Sequence, residues 1–379
     1  MNKTSRLYFI DAMRAWAILM MLQGHFIDGL LDPVFRDTSN TVFTIWKYNR
    51  GITAPVFFTV AGFIFMYLLI RQKERAGWAN PRVMKGIKRG LMLIGLGYVL
   101  RLDFKGFLLR GEVYDNFYKV DVLHCIGLSI LFLVGIYLLS HNRKKYVMPL
   151  LLAGSTLFLF ALAPVYSSLD YSFMPKILAN YFTGANGSVF TIFPWFGYAS
   201  FGAFMAVLFS VYREKQNLYS VAIATCLVAG AALIALFTFP PVRNELFSRL
   251  GNVLIFFAVF MLIRNLLTSR TLISIGQNTL SIYIIHYIIL YASFFGIGLY
   301  QPFHHSLNPY VAIPGAVLFM IIVTWLSFRY NAFKPVFTEK MHVVRKETVL
   351  SFRQACRDTL PFLSKIKGRI RAVFGMVKN

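Results

Sequence analysis

The stretch LYFIDAMRAWAILMMLQGHFIDGLL, Leu7 to Leu31, constrains this chain more than any other. It is long enough to cross a bilayer. It also carries Asp11, Arg14, His25 and Asp28, and a charge at the centre of a membrane helix costs on the order of 3 kcal/mol or more. At helical spacing, positions 11, 14, 18, 21, 25, 28 and 32 are Asp, Arg, Ile, Met, His, Asp and Asp. That stripe cannot face lipid. The helix must turn it toward neighbouring helices, with Asp11 and Arg14 near one end and His25 and Asp28 near the other.

One such helix implies a bundle. Over 379 residues, 57% are apolar and only 14% charged, which excludes an ordinary soluble domain. The expected fold class is all-α, a polytopic transmembrane helical bundle. Apolar runs of about 20 residues give ten expected spans, at 8–30, 52–71, 88–108, 121–140, 146–165, 189–211, 218–238, 248–265, 278–300 and 311–331. The third is the weakest in pattern, because Arg101, Asp103 and Lys105 fall in its outer half. The N-terminal run is too long, and too interrupted by charge, for a cleavable signal.

Net charge is +24, but Lys and Arg cluster between and after the apolar runs, so the basic partner is the lipid surface and not nucleic acid. The segments 71–89 (RQKERAGWANPRVMKGIKR), 141–145 (HNRKK) and 213–216 (REKQ) are strongly basic, whereas the alternate loops are not. By the positive-inside rule both termini are cytoplasmic and His25 points outward. Residues 1–335 read as the membrane domain. Residues 336–379 read as a basic amphipathic cytoplasmic tail, with ten Lys/Arg from residue 340 onward. No tandem repeat with a clear period, no inverted repeat and no phosphate-binding glycine motif is visible. Cys125, Cys226 and Cys356 lack metal or disulfide spacing, and no metal site is expected.

Three histidines fall in expected spans: His25, His124 and His286. The alternating topology brings His25 and His124 toward the same outer region, with Asp121 one turn before His124, and places His286 nearer mid-membrane. An imidazole beside a carboxylate suits general-base work, since the carboxylate orients the ring and stabilises the imidazolium. His25 with Asp28 fits that pattern; the bland reading is a histidine hydrogen-bonded between helices. Arg14 beside Asp11 is either a packing pair or an anion contact at the inner mouth. Arg50 either faces the outer cavity or snorkels at the interface. Pro194 in the FPWFG run breaks its helix beside Trp195 and frees backbone groups that need a cavity or a partner.

The segments IDAMRAWAILMMLQGHF, TAPVFFTVAGF, VDVLHCIGLS, FPWFGYASFGA and GQNTLSIYIIH, in this order over about residues 6–331, resemble the bacterial membrane acyltransferase superfamily. The resemblance is to the branch named for heparan-α-glucosaminide N-acetyltransferase, related to the acyltransferase 3 proteins. It implies a multi-pass enzyme of the cytoplasmic (inner) membrane that takes an acyl group, acetyl by default, from cytoplasmic acyl-CoA. The group passes to a hydroxyl or amine of an envelope glycan or glycolipid. The donor is a substrate, no tightly bound cofactor is implied, and a homodimer is compatible. His25 and Arg14 match the first-helix histidine and arginine of the acyltransferase 3 pattern. The heparan-acetylating enzyme instead tends to have an asparagine there and its histidine later. This chain has no histidine between His25 and His124, which leaves open whether the acyl group rests on His25 or passes directly.

Combined with the residue reading, His25 and Asp28 are the expected catalytic pair. Asp11, Arg14, Arg71, Lys85, Lys88 and Arg89 are expected on the donor side, the basic 71–89 loop attracting the coenzyme A phosphates. Arg50, Arg101, Asp121, His124, Trp195 and His286 are expected on the substrate side, Arg101 stabilising developing negative charge. The competing class is a transporter or lipid flippase, which uses intramembrane charges as a substrate path.

Overall fold

A computed structural model describes residues 7–72, 75–291 and 297–334. Helices are the regular elements of the described residues: α1 (Tyr8–Leu30), α2 (Thr41–Ile70), α3 (Pro81–Arg101), α4 (Phe104–Arg110), α5 (Val122–Ser140), α6 (Val147–Ala161), α7 (Ala163–Ser167), α8 (Lys176–Ala179), α9 (Ile192–Val211), α10 (Leu218–Phe237), α11 (Glu245–Leu262), α12 (Arg270–Gln277), α13 (Thr279–Tyr291), α14 (Tyr300–Phe303) and α15 (Pro309–Lys334). The chain divides into two compact units, 1–324 and 325–379, and the site lies wholly in the first. The expected tail from residue 336 lies outside the described residues.

Among the described residues, six helical stretches are long and apolar enough to cross a membrane: α2, α5 with the turn before it, α9, α10, α11 and α15. The α12/α13 pair adds a seventh if its 72° bend is one broken span. The count falls short of the ten expected for physical reasons. The polar stripe of α1 and the basic start of α3 lower their apolarity, and α6 has only 15 residues. The expected span 88–108 is also displaced: the helix runs from Pro81 to Arg101 and stops there. Asp103 then caps α4 by accepting from the backbone N–H of Gly106 at 3.1 Å. What is established is an all-helical, multi-pass membrane protein.

The stripe of α1 is indeed turned inward, since α1 packs against α2, α11, α12 and α13. In contrast, α10 buries only Cys226 and Gly230 and shows its other, apolar faces to the surroundings. The FPWFG break is present as expected. Phe193 is non-helical, and its carbonyl accepts from the Thr191 hydroxyl, so the freed backbone group finds a partner.

The structure also contains a repetition that the sequence pattern does not announce. Helix α2 crosses α9 so closely that a Cβ on Gly62 would overlap the Ala199 carbonyl, and one on Gly202 the Thr59 carbonyl. Helices α3 and α5 cross at Gly90 and Gly127, and α10 and α11 cross in the same way at Gly230 and Gly251. The interval from Gly62 to Gly202 and from Gly90 to Gly230 is the same 140 positions (62 to 202, 90 to 230). Neighbours correspond too: α5 packs on α9 as α11 packs on α2, and α1 packs on α11 as α6 packs on α5. Helices α1–α5 and α6–α11 are therefore two halves of like build. The broken pair α12/α13 packs on α1 and α3, both in the first half.

Candidate active site

Helix α13 brings the last of the polar residues to α1. Its buried face carries Thr279, Tyr283, His286 and Leu290, at the 3–4 residue spacing of one helical side. The bend before it follows from close packing. Gly276 on α12 lies against the Asp11 backbone with no room for a Cβ, and the chain turns at Asn278. Thr279 then meets Arg14, whose Nη2 donates to its Oγ1 at 3.1 Å; Arg14 also lies 3.7 Å from Asp11. The expected Asp11 and Arg14 pair is present, and Arg14 additionally lines a cavity.

Two turns further along α13, His286 Nε2 lies 3.1 Å from His25 Nδ1. In a neutral pair one of these nitrogens donates and the other accepts. His286 is fully buried. The expected orienting of His25 by Asp28 is not what the fold provides: Asp28 forms an ion pair with Arg50 of α2. The reason is that i, i+3 spacing places two residues on one face without making them partners, and Arg50 arrives from across the interface as the stronger electrostatic match. Nor does His25 pair with His124, the other convergence expected.

His124 belongs to a second cluster. Asp121 caps α5, accepting from Leu123 N at 3.0 Å, and its Oδ1 lies 2.9 Å from His124 Nδ1. Its Oδ2 pairs with Arg101 Nε at 3.4 Å and accepts from the Tyr283 hydroxyl at 3.5 Å. Gly97 on α3 leaves the space the His124 ring occupies, and Tyr98 stands edge-on to that ring at 4.3 Å between centroids. Tyr98 and Tyr181 share a hydroxyl contact of 3.1 Å. Tyr283 touches both groups, through its hydroxyl on Asp121 and its ring on His286. The clusters are thus joined through Tyr283, whose ring centroid is 4.9 Å from that of His286.

Beneath them lies a cavity of about 370 Å³. Its walls are apolar residues of α2, α3 and α5, among them Phe57, Phe65 and Ile130. Arg82, Lys85 and Arg89 of α3 stand at one end, Lys85 and Arg89 exposed. Arg14, Thr279 and Tyr283 line it from α1 and α13. Along α3, Arg82 to Leu93 spans about 16 Å at 1.5 Å per residue. Of the expected phosphate contacts, Lys85 and Arg89 line this cavity. Lys88 and Arg71 do not; Lys88 is exposed and Arg71 sits over the Tyr67 ring. Trp195 packs with Phe58, Phe190 and Tyr198 in an aromatic cluster and is not joined to the histidine pair. Among the described residues no cluster of His, Cys, Asp or Glu fits a metal ion.

Sequence reading missed Arg82, Thr279 and Tyr283. The 4- and 3-residue intervals from Thr279 to Tyr283 to His286 were a usable signal, masked because Tyr and Thr are ordinary in apolar helices. A family model described as heparan-alpha-glucosaminide N-acetyltransferase, catalytic, matches residues 6–239. No curated protein matches the chain. The matched segment holds His25, Arg50, the basic wall of α3 and Asp121; α12 and α13 lie beyond it.

Proposed function

Because the chain belongs to the heparan-alpha-glucosaminide N-acetyltransferase catalytic family, we propose that it is an integral membrane acyltransferase. It moves an acyl group, acetyl in the first instance, from acyl-CoA to a hydroxyl or amine of an envelope glycan or glycolipid. The observation that supports this most is the shape and chemistry of the cavity: cations at one end, an apolar body, and two histidines beyond the other. Coenzyme A has the matching order of parts, with phosphates first, a long arm, and the thioester last.

On this reading Arg82, Lys85 and Arg89 hold the phosphates at the cytoplasmic face of the inner membrane, and both termini lie on that side. The acceptor approaches from the outer side, past Arg50, Arg101 and His124. Its O–H or N–H proton passes to His25, and the oxygen or nitrogen attacks the thioester carbonyl carbon. The C–S bond breaks, the thiolate takes up a proton, and free coenzyme A leaves. The proton taken up is then shared within the His25–His286 pair. The repetition of two like halves is shared by many transporters. It therefore does not separate the two function classes, whereas turnover of a thioester does.

Purified protein is expected to release coenzyme A from labelled acetyl-CoA and to pass label to an acceptor from an envelope extract. His25→Ala is expected to reach the membrane in equal amount and to lose transfer by at least about 10²-fold, the usual range for a general base. Full activity in His25→Ala, or no acetyl-CoA turnover by the native protein, overturns the reading.

A further inference from the structure

Tyr283 is the side chain shared by the cavity and the two polar clusters. It lines the cavity, its ring rests against His286, and its hydroxyl reaches Asp121 Oδ2 at 3.5 Å. The other hydrogen-bonding side chains that line the cavity sit elsewhere. Arg82, Lys85 and Arg89 are on the first turns of α3; Arg14, Gln277 and Thr279 are at least one helical turn before Tyr283 or across from it, with Arg14 already bonded to Thr279.

The hydroxyl is also poorly employed. At 3.5 Å its bond to Asp121 lies beyond the normal O–H···O range, and a buried donor so placed gains by finding a closer acceptor. Asp121 does not depend on it, since Leu123 N, His124 and Arg101 all bond that carboxylate. Arg101 pairs with the same carboxylate at 3.4 Å and so offsets part of the Asp121 charge beside the Tyr283 oxygen.

We propose that the Tyr283 hydroxyl donates a hydrogen bond to the carbonyl oxygen of the donor thioester and stabilises the negative charge that develops there. This role rests on the acyl-CoA reading above. As the acceptor oxygen or nitrogen bonds to the carbonyl carbon, the C=O electrons move onto the oxygen held by Tyr283. They return as the C–S bond breaks and the thiolate leaves. The acceptor proton goes to the histidine pair and then to the thiolate; Tyr283 keeps its own proton throughout. Such a donor acts chiefly in the transition state, so its loss lowers kcat and leaves donor binding in place.

The test compares Tyr283→Phe with the native protein, using acetyl-CoA turnover and binding of a non-hydrolysable acetyl-CoA analogue in which a methylene group replaces the sulfur. The expected result is a fall in kcat of about 10²-fold, as for removal of one oxyanion donor, with KM and analogue affinity unchanged. Fluorotyrosines placed at 283 give a second measure that a merely structural ring does not produce: kcat is expected to change progressively with phenol acidity. Native protein that neither binds nor turns over acetyl-CoA defeats the acyl-CoA reading itself. Native turnover with Tyr283→Phe within about twofold in kcat, a rise in KM at constant kcat, or a flat fluorotyrosine series overturns the role of Tyr283 and leaves that reading standing.

Discussion

Asp121 is the residue on which the polar contacts of the outer cluster converge, and it is buried, with its partner Arg101 partly buried. An ion pair in that setting is a weak source of net stability, but removing one member strands the other charge at a cost of about 3–5 kcal/mol. Asp121→Ala is therefore expected to lower the thermal unfolding midpoint in detergent markedly. Asp121→Ala combined with Arg101→Leu is expected to recover part of the loss; an equal or lower midpoint in the double variant contradicts this account. At this scale the sequence was informative about which residues are unusual. His25, Asp28, Arg50, Arg101 and Asp121 stand out because charge inside an apolar run needs a reason. It was not informative about partners. Helical spacing says which residues share a face, while the assignment of Asp28 to Arg50 and of His25 to His286 depends on which helix lies opposite.

Among the elements, close crossing at small residues holds the two halves together. In a bilayer, lipid tails are as apolar as the helix surface, so helices associate through close backbone approach and not through hydrophobic burial. Gly62→Ala and Gly202→Ala each push a methyl group into a carbonyl of the facing helix, an overpacking expected to cost about 1–3 kcal/mol. Gly95→Ala is the control: it has open space around it, and gains about 0.5–1 kcal/mol in helix propensity. Thermal midpoints of the three variants check the prediction, and a neutral Gly62→Ala contradicts it. The proline-broken entry to α9 was legible in sequence, because a proline removes a backbone donor locally. The end of α3 at Arg101 was misread because apolar content continues through Phe107 to Leu109, while the decisive signal was one capping aspartate, Asp103.

For the whole molecule, the proposed orientation rests on the basic segments, and it sets which end of the cavity would meet the proposed donor. A fluorescent reporter that matures only in the cytoplasm is expected to fluoresce when inserted after Arg143, between α5 and α6, and to stay dark when inserted after Ser172, between α7 and α8. The reverse pattern would place Arg82, Lys85 and Arg89 away from cytoplasmic acyl-CoA and contradict the proposed donor path.

The membrane class, the helical fold and the inward-facing stripe of α1 were determined by sequence alone, because the cost of exposing apolar surface to water or charge to lipid is local and large. Tertiary structure alone decided three things: that the chain folds as two like halves, that a broken helix beyond the family-matched segment packs on the first of them, and that His286 and Tyr283 thereby join His25 and Asp121 above a cavity with a basic end. In apolar helices most side chains are interchangeable, so neither the repetition nor the partner across an interface is written in the pattern. Both depend on which backbones can approach most closely, and that is settled only when every helix is in place.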